Sequence, residues 1–385
     1  MHERDGTKIE SNLRAIRQAA GLSQSELAGL AGVTRQTIGA VEAGLYAPTM
    51  GVGLRLARAL GCGVDDLFRL PDDPPTVAAE LLPPAVGVAA APLRVQLARV
   101  GSRTLARPLD AYGPADGLVS PGQTGELPPG KVVVRLLAEP TMLDRTAVVL
   151  GCDPALATLG VHLGRRHAGL RLAAASLGSL AALEALARGE AHVAGMHLLD
   201  EATGEYNLPF VRRAFAGRRV TMVTAAHWAE GLIVAAGNPR GIAGAGDLAR
   251  PDVAIVNREV GAGSRAALDH ALRAAGVAPA AVRGYGRTVS SHRAVAEVVA
   301  AGLADAGPGI QAAAEALGLG FVPLGHERYD LVIPAEHRDS PPVQALLDTL
   351  VSPAFRAELE AMPGYDLSRT GTVVLDELIP AWSRA

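Results

Sequence analysis

Between Leu13 and Gly61 the chain alternates helical apolar spacing with capping and stop signals so closely that only a bundle of short helices satisfies the pattern. Leu13, Ile16, Ala19 and Ala20 share one helical face, and Gly21 ends that helix. Ser23-Gln-Ser-Glu26 is a capping box, in which the serine hydroxyl accepts from the backbone at Glu26 while the glutamate reaches back. It opens a helix carrying Leu27, Leu30 and Ala31. Gly32-Val33 is a tight turn, and Thr34 caps a third helix, Arg35 to Glu42, with Ile38 and Val41 facing inward. Gly44 closes it. Thr49 heads a fourth helix with Leu54, Leu56, Ala57 and Leu60, and Val64, Leu67 and Phe68 complete the core.

Two short helices joined by a glycine turn form the arrangement that lays the second helix in the major groove of DNA. On the third helix Arg35, Gln36, Thr37 and Ala40 point away from the core, with Thr34 at its head. Arginine forks onto guanine, glutamine onto adenine, and small groups meet a thymine methyl. Gln24, at the start of the second helix, suits a phosphate, helped by the positive helix end. The stretch GLSQSELAGLAGVTRQTIGAVEAGLYAPTMGVGLRLARALG resembles the lambda-repressor/Cro-like (XRE-type) helix-turn-helix family in its SQ-x-x-LA, Gly-Val-Thr, central Ile38 and Glu42-Ala-Gly44. The resemblance implies that a homodimer binds a dyad operator in double-stranded DNA.

At 385 residues the chain has room for two or three domains. Hydrophobic residues make up 49% and aromatics only 3%, so Ala, Val, Leu and Gly must fill the cores. A net charge of −3 gives no sign of a whole-protein attraction for nucleic acid, so any DNA contact must come from a local surface. Cys62 and Cys152 lie far apart and neither belongs to a CxxC pair, so they supply no disulfide framework and no zinc set; no metal is expected. The N-terminus lacks an apolar signal region, and the run at Val86–Leu93 is short and broken by Pro92. A cytoplasmic protein without membrane contact is the expectation.

The pattern predicts a multidomain chain. An all-α helix-turn-helix bundle fills 1–70, and a linker over 71–92 begins with Pro71-Asp-Asp-Pro-Pro75. A small β-rich segment follows over 93–145, with alternation at Val95, Leu97 and Val100, at Leu105 and Leu109, and at Val132–Leu137. Turns at Gly101-Ser102 and Pro128–Gly130 divide it, and a passive spacer is its expected role. From 146 to 365 strands and helices alternate, twice over, implying two α/β lobes with parallel sheets. Val220–Thr224, Leu232–Ala235 and Tyr329–Ile333 are the segments expected to cross between lobes. Residues 366–385 read as a tail.

Ligands of such sheets sit beyond strand carboxyl ends, at helix N-termini. That places Cys152 and Asp153 at one edge, Ser176 and Ser179 at a second, Asn257, Arg258, Ser264 and Arg265 at a third, and Ser290, Ser291 and His292 at a fourth. His197 lies past the third strand. Hydroxyls, glycine amides and helix dipoles there suit an oxyanion, with the arginines adding charge-assisted bonds. The segments HLLDEATGEYNLPFVRR, GLIVAAGNPRGIAGAGDLARPDVAIVNREVGAGSRAALD, SSHRAVAEVVAAGLADAGPGI and FVPLGHERYDLVIP resemble the periplasmic-binding-protein-like (type II, LysR-substrate-binding-like) domain. The resemblance implies a two-lobed clamp, a small-molecule effector such as molybdate or tungstate, and no other cofactor. Two alternatives stand beside this ligand-sensing regulator. One is a hydrolase-like α/β enzyme with an appended DNA-binding domain, against which the chain has no GxSxG, P-loop, HExxH or GxGxxG after a strand. The other is a DNA-binding scaffold without ligand.

Overall fold

The computed structural model describes residues 9–69, 74–83, 92–109, 113–119 and 130–381. Half of the expected linker, and most of the apolar run at Val86 and of the turn at Pro128, lie outside these residues. The chain divides into two compact units, Met1–Pro75 and Thr76–Ala385.

In the first unit a short antiparallel pair, β1 (Glu10–Ser11) and β2 (Phe68–Arg69), ties the two ends together. Between them run α1 (Leu13–Ala19), α2 (Gln24–Ala31), α3 (Arg35–Glu42), α4 (Met50–Leu60) and α5 (Val64–Leu67). Leu13, Leu27, Ile38, Val41, Leu56 and Leu67 are buried together. The capping box forms: Glu26 N donates to Ser23 Oγ at 3.2 Å, and Ser23 N donates to Glu26 Oε2 at 2.7 Å. Gly32, at φ 63°, supplies the left-handed residue that ends α2 and aims the chain into α3. The periodicity did not reveal a charged clamp. Glu42, nearly buried, receives Arg17 Nε at 2.5 Å and Gln24 Nε2 at 2.8 Å, while Arg17 Nη1 donates to Leu22 O at 2.6 Å. These bonds lock α1, α2 and α3 to one another.

The second unit opens with a closed barrel of β3 (Thr76–Leu81), β4 (Leu93–Val100), β5 (Arg103–Pro108), β6 (Gly117–Val119) and β7 (Lys131–Leu136), in the order β3-β5-β4-β6-β7. The expected linker therefore holds a barrel strand. β3 pairs with both β5 and β7, and without it the barrel would have two open edges. Its alternation in TVAAEL is muted by alanines, which hid it. Asp116 accepts from Leu97 N at 2.8 Å and from Arg171 Nη2 at 2.6 Å, fastening the barrel to the α/β part.

That part begins with β8 (Thr146–Leu150), α6 (Ala155–Arg166), β9 (Arg171–Ala175), α7 (Ser179–Ala187) and β10 (Val193–Met196). β8 pairs with β9 and β10 in parallel, as right-handed crossovers require. A small hairpin, β11 (Leu199–Asp200) and β12 (Glu205–Tyr206), and α8 (Leu208–Ala214) follow. β13 (Arg219–Val234) then runs for 16 residues through both lobes. The second lobe contains β14 (Asn257–Arg258), α9 (Gly263–Ala274), β15 (Thr288–Val289), α10 (His292–Ala300), β16 (Ala306–Ile310) and α11 (Gln311–Glu315). β17 (Gly320–Pro334) returns over 15 residues, antiparallel to β13 along nearly its whole length. The segments expected as separate crossings are thus halves of two continuous strands. Burial on both faces erased the alternation that would have joined them. The crossing strands are antiparallel, so the sheet is mixed rather than parallel throughout.

After β17 come α12 (Ala335–Arg338), α13 (Pro341–Leu350), α14 (Pro353–Glu360), β18 (Tyr365–Asp366) and β19 (Val373–Leu378). The expected tail is corrected here, because β18 and β19 both pair with β13 and complete the first lobe's sheet. Leu375 and Ile379 enter its core. Among the described residues no helix is long and apolar enough to cross a membrane.

Candidate functional site

Strand ends and helix starts of both lobes bring one buried centre together. Cys152 and Asp153 follow β8, Ser179 opens α7, and His197 follows β10. From the second lobe come Arg258 at the end of β14, Ser264 in the first turn of α9, and His292 at the start of α10. All seven are buried. The lobes meet closely: Leu180 N donates to Gly261 O at 3.1 Å, and a Cβ on Gly263 would overlap His197.

Within the centre Cys152 Sγ lies 3.1 Å from His197 Nε2, and His197 Nδ1 is hydrogen-bonded to Glu327. His197 N donates to Ser179 Oγ at 3.1 Å, so Ser179 positions the imidazole's backbone. Ser264 Oγ is 3.4 Å from His292 Nδ1. Arg258, with 0% exposure, forks onto Glu259 at 2.9 and 3.0 Å and donates to Ser290 O at 3.3 Å, yet its Nη1 has no partner. Asp153 Oδ1 accepts from Ala155 N at 2.9 Å and Tyr365 OH at 2.5 Å.

Other nominated residues serve differently. Asn257 spans its own loop, donating to Tyr285 O at 3.2 Å and accepting from Arg258 N at 2.8 Å. Arg265 donates to Arg258 O at 3.1 Å and lies over the Tyr285 ring, 4.5 Å from its centroid. Ser291 caps α10 by accepting from Ala294 N at 3.0 Å. Ser176 and Ser290 are exposed at the rim, where Ser176 Oγ is 3.5 Å from Ser290 O.

Sequence reasoning missed the residues supplied by the crossing strands. Trp228, Glu230, Glu327 and Tyr329 are all buried in the same region. The Trp228 ring stands 5.0 Å from His197 and 4.8 Å from Tyr329. Trp228 Nε1, Tyr329 OH, His292 Nε2 and both Glu230 carboxyl oxygens lack hydrogen-bond partners. The available signal was a carboxylate set in an otherwise apolar strand, as in HWAEGLIV. Next to the centre opens a cavity of about 580 Å³ lined by Glu201, Glu230, Glu327, Tyr206 and the alanine face of α9.

Electrostatics sort the groups. Burial opposes charging His197, but Cys152 and Glu327 outweigh it and hold its pKa well above the ordinary histidine value. Burial, then Arg258 and His197, push His292 well below it. Burial and the neighbouring Glu327 raise Glu230 to about 8, so it is protonated at neutral pH. Burial raises Asp153 to about 6 against its hydrogen bonds. A thiol beside an imidazole backed by a carboxylate is a donor set suited to a metal ion.

Glu230 carries a pH prediction. Between the ordinary glutamate pKa of 4.5 and about 8 the unfolded chain has released this proton while the folded one keeps it. Stability from this group is therefore full below 4.5 and falls as pH rises through that window. Glu230→Gln cannot ionise. Its stability relative to the parent should grow from pH 5 to pH 8.5 by the order of a few kcal/mol. Urea melts at the two pH values check this; a difference that does not change with pH would refute it.

On the reader unit, Arg35 and Gln36 are exposed and Thr37 and Ala40 half-buried, on the outer side of α3. Thr34 Oγ1 accepts from Thr37 N at 3.1 Å as the helix cap. Gln24 differs from expectation in that its amide donates to Glu42, which needs partners because it is nearly buried.

A compact bundle with an outward third helix, followed by two α/β lobes joined by two crossing strands, defines a DNA-reading unit attached to a binding-protein-like clamp. Family models agree: residues 13–67 match a helix-turn-helix domain, and residues 160–351 match a PBP superfamily domain. An HTH-type transcriptional regulator of Methanothermobacter thermautotrophicus is 48% identical over 62 residues, 16% of this chain and 90% of that protein. The uncharacterised protein YvgK of Bacillus subtilis is 39% identical over 199 residues, 52% of this chain. The matched stretch spans 64% of the length of YvgK. An ABC-type phosphate transport receptor from Vibrio cholerae aligns with a TM-score of 0.39 at 13% identity, over 57% of this chain and 98% of that one. The chain belongs to the HTH-type transcriptional regulators, and its larger unit carries a PBP superfamily domain.

Proposed function

We propose that the protein is a cytoplasmic, ligand-responsive regulator. As a homodimer it reads a two-fold operator through α3 and closes its lobes on a small oxyanion such as molybdate or tungstate. It senses this ligand rather than turning it over. The observation that carries the ligand class is Arg258 Nη1, wholly buried and unpartnered. It lies where the N-termini of α7, α9 and α10 meet, and those ends favour negative charge. Of the carboxylates present, Glu259 is paired with Arg258 and Glu327 with His197, Glu230 is neutral at pH 7, and Asp153 is turned to Ala155 N and Tyr365 OH.

The test is a thermal shift of the full chain against molybdate, tungstate, phosphate and sulfate. An anion that binds the folded state at a hundred times its Kd adds about 2.7 kcal/mol of stability. No shift with any of them would end the oxyanion reading.

For the reader unit, Arg35→Ala should weaken specific operator binding by about 1–3 kcal/mol and leave effector binding intact. Operator titrations at one fixed salt concentration measure this. Lost effector binding in that variant would contradict the division of labour.

A further inference from the structure

We infer that the buried centre holds a divalent metal ion of the zinc type, bound by Cys152, His197 and His292, which bridges the two lobes. One donor atom from each residue lies within 4.8 Å of the others, and all three residues are buried. The set is a thiolate and two imidazoles, the donor chemistry of zinc and of its cobalt substitute. Metal–ligand bonds of ~2.3 Å to sulfur and ~2.0–2.1 Å to nitrogen put tetrahedral donors roughly 3.3–3.6 Å apart. Cys152 Sγ and His197 Nε2, at 3.1 Å, need only a small expansion to reach that spacing.

The outer groups fit as well. Metal-bound histidines commonly engage a carboxylate or another polar group through the second ring nitrogen. His197 Nδ1 is held by Glu327, which leaves Nε2 towards Cys152. His292 Nδ1 faces Ser264 Oγ at 3.4 Å, which leaves Nε2 buried and unpartnered. A thiol activated by one histidine needs no second imidazole, whereas a metal centre uses this orphaned nitrogen. Cys152 and His197 belong to the first lobe and His292 to the second, so the ion would tie closure to metal occupancy. On binding, the Cys152 thiol gives up its proton and forms the metal–sulfur bond. The site goes beyond the effector reading above and does not depend on which effector binds.

The full chain, stripped with a chelator and free of added anions, is titrated with Co(II) and then Zn(II). The expected result is saturable uptake of one equivalent, a thiolate-to-cobalt charge-transfer band, and displacement by zinc. The chain has 2 cysteines. A band that survives Cys62→Ser therefore comes from Cys152, even where Cys152→Ser fails to fold. Glu327→Gln should weaken zinc about 10–100-fold. Absence of one-equivalent uptake by the parent protein, or loss of the band in Cys62→Ser, would overturn the assignment. Failure of the anion panel leaves this titration unaffected, so the two readings fail separately.

Discussion

Arg258→Ala is expected to cost the effector about 2–5 kcal/mol of binding free energy, roughly thirty-fold to several-thousand-fold in Kd. The side chain has 0% exposure, and Nη1 has no partner in the folded protein. A buried guanidinium N–H left unpaired is costly, and the proposed oxyanion would relieve that cost on binding. Alanine removes both the charge and the donor. Glu259 loses its fork, but its side chain keeps 32% exposure and can be hydrated, so the fold should suffer less than the affinity. Calorimetry with the anion that gives the largest thermal shift measures the effect. Arg258→Lys keeps charge without the planar fork and should fall between the two. An alanine variant that binds as tightly as the parent would remove Arg258 from the site.

Gly195→Ala should destabilise the larger unit by about 3 kcal/mol or more, the upper end of what overpacking costs. A Cβ there would overlap the hydroxyl and ring of Tyr329. The ring is confined, because its hydroxyl sits against the backbone of Gly151 and its centroid lies 4.8 Å from that of Trp228. β10 cannot shift either, being paired to β8 on one side and β17 on the other. The double variant Gly195→Ala/Tyr329→Leu should recover part of the loss, since the two positions share one volume. Urea denaturation checks both proteins, and a Gly195→Ala single variant as stable as the parent would show that the strand can yield.

What the sequence disclosed was local. Ser23-Glu26, Thr34 and Gly32 are caps and turns legible within a few residues, so the reader bundle could be drawn helix by helix. The apolar strands and helix starts of the lobes were also legible, and with them Cys152, His197, Arg258, Ser264 and His292. Their meeting was not, because Cys152 and His197 are 45 residues apart and His197 and Glu327 are 130 apart. Glu230 went unseen because β13, buried on both faces, has no alternation against which a polar residue stands out, and Glu327 because it sits in the polar stretch HER of β17. Asn257 and Arg265 hold their own loop by hydrogen bonds that residue type alone did not foretell. β3 was missed because alanines mute its alternation, and β19 because most of its residues are exposed.

The placement of β19 has a consequence for how the chain reaches its native state. Contacts in the reader unit are close in sequence, which favours rapid formation early in synthesis. The second lobe lies between the halves of β13 and β17, and its core is complete once Leu324 has emerged. The first lobe has to wait, since Val220 pairs with Pro334 on one side and Glu377 on the other. A nascent chain therefore presents a finished helix-turn-helix unit while the first lobe's sheet still lacks its closing strands.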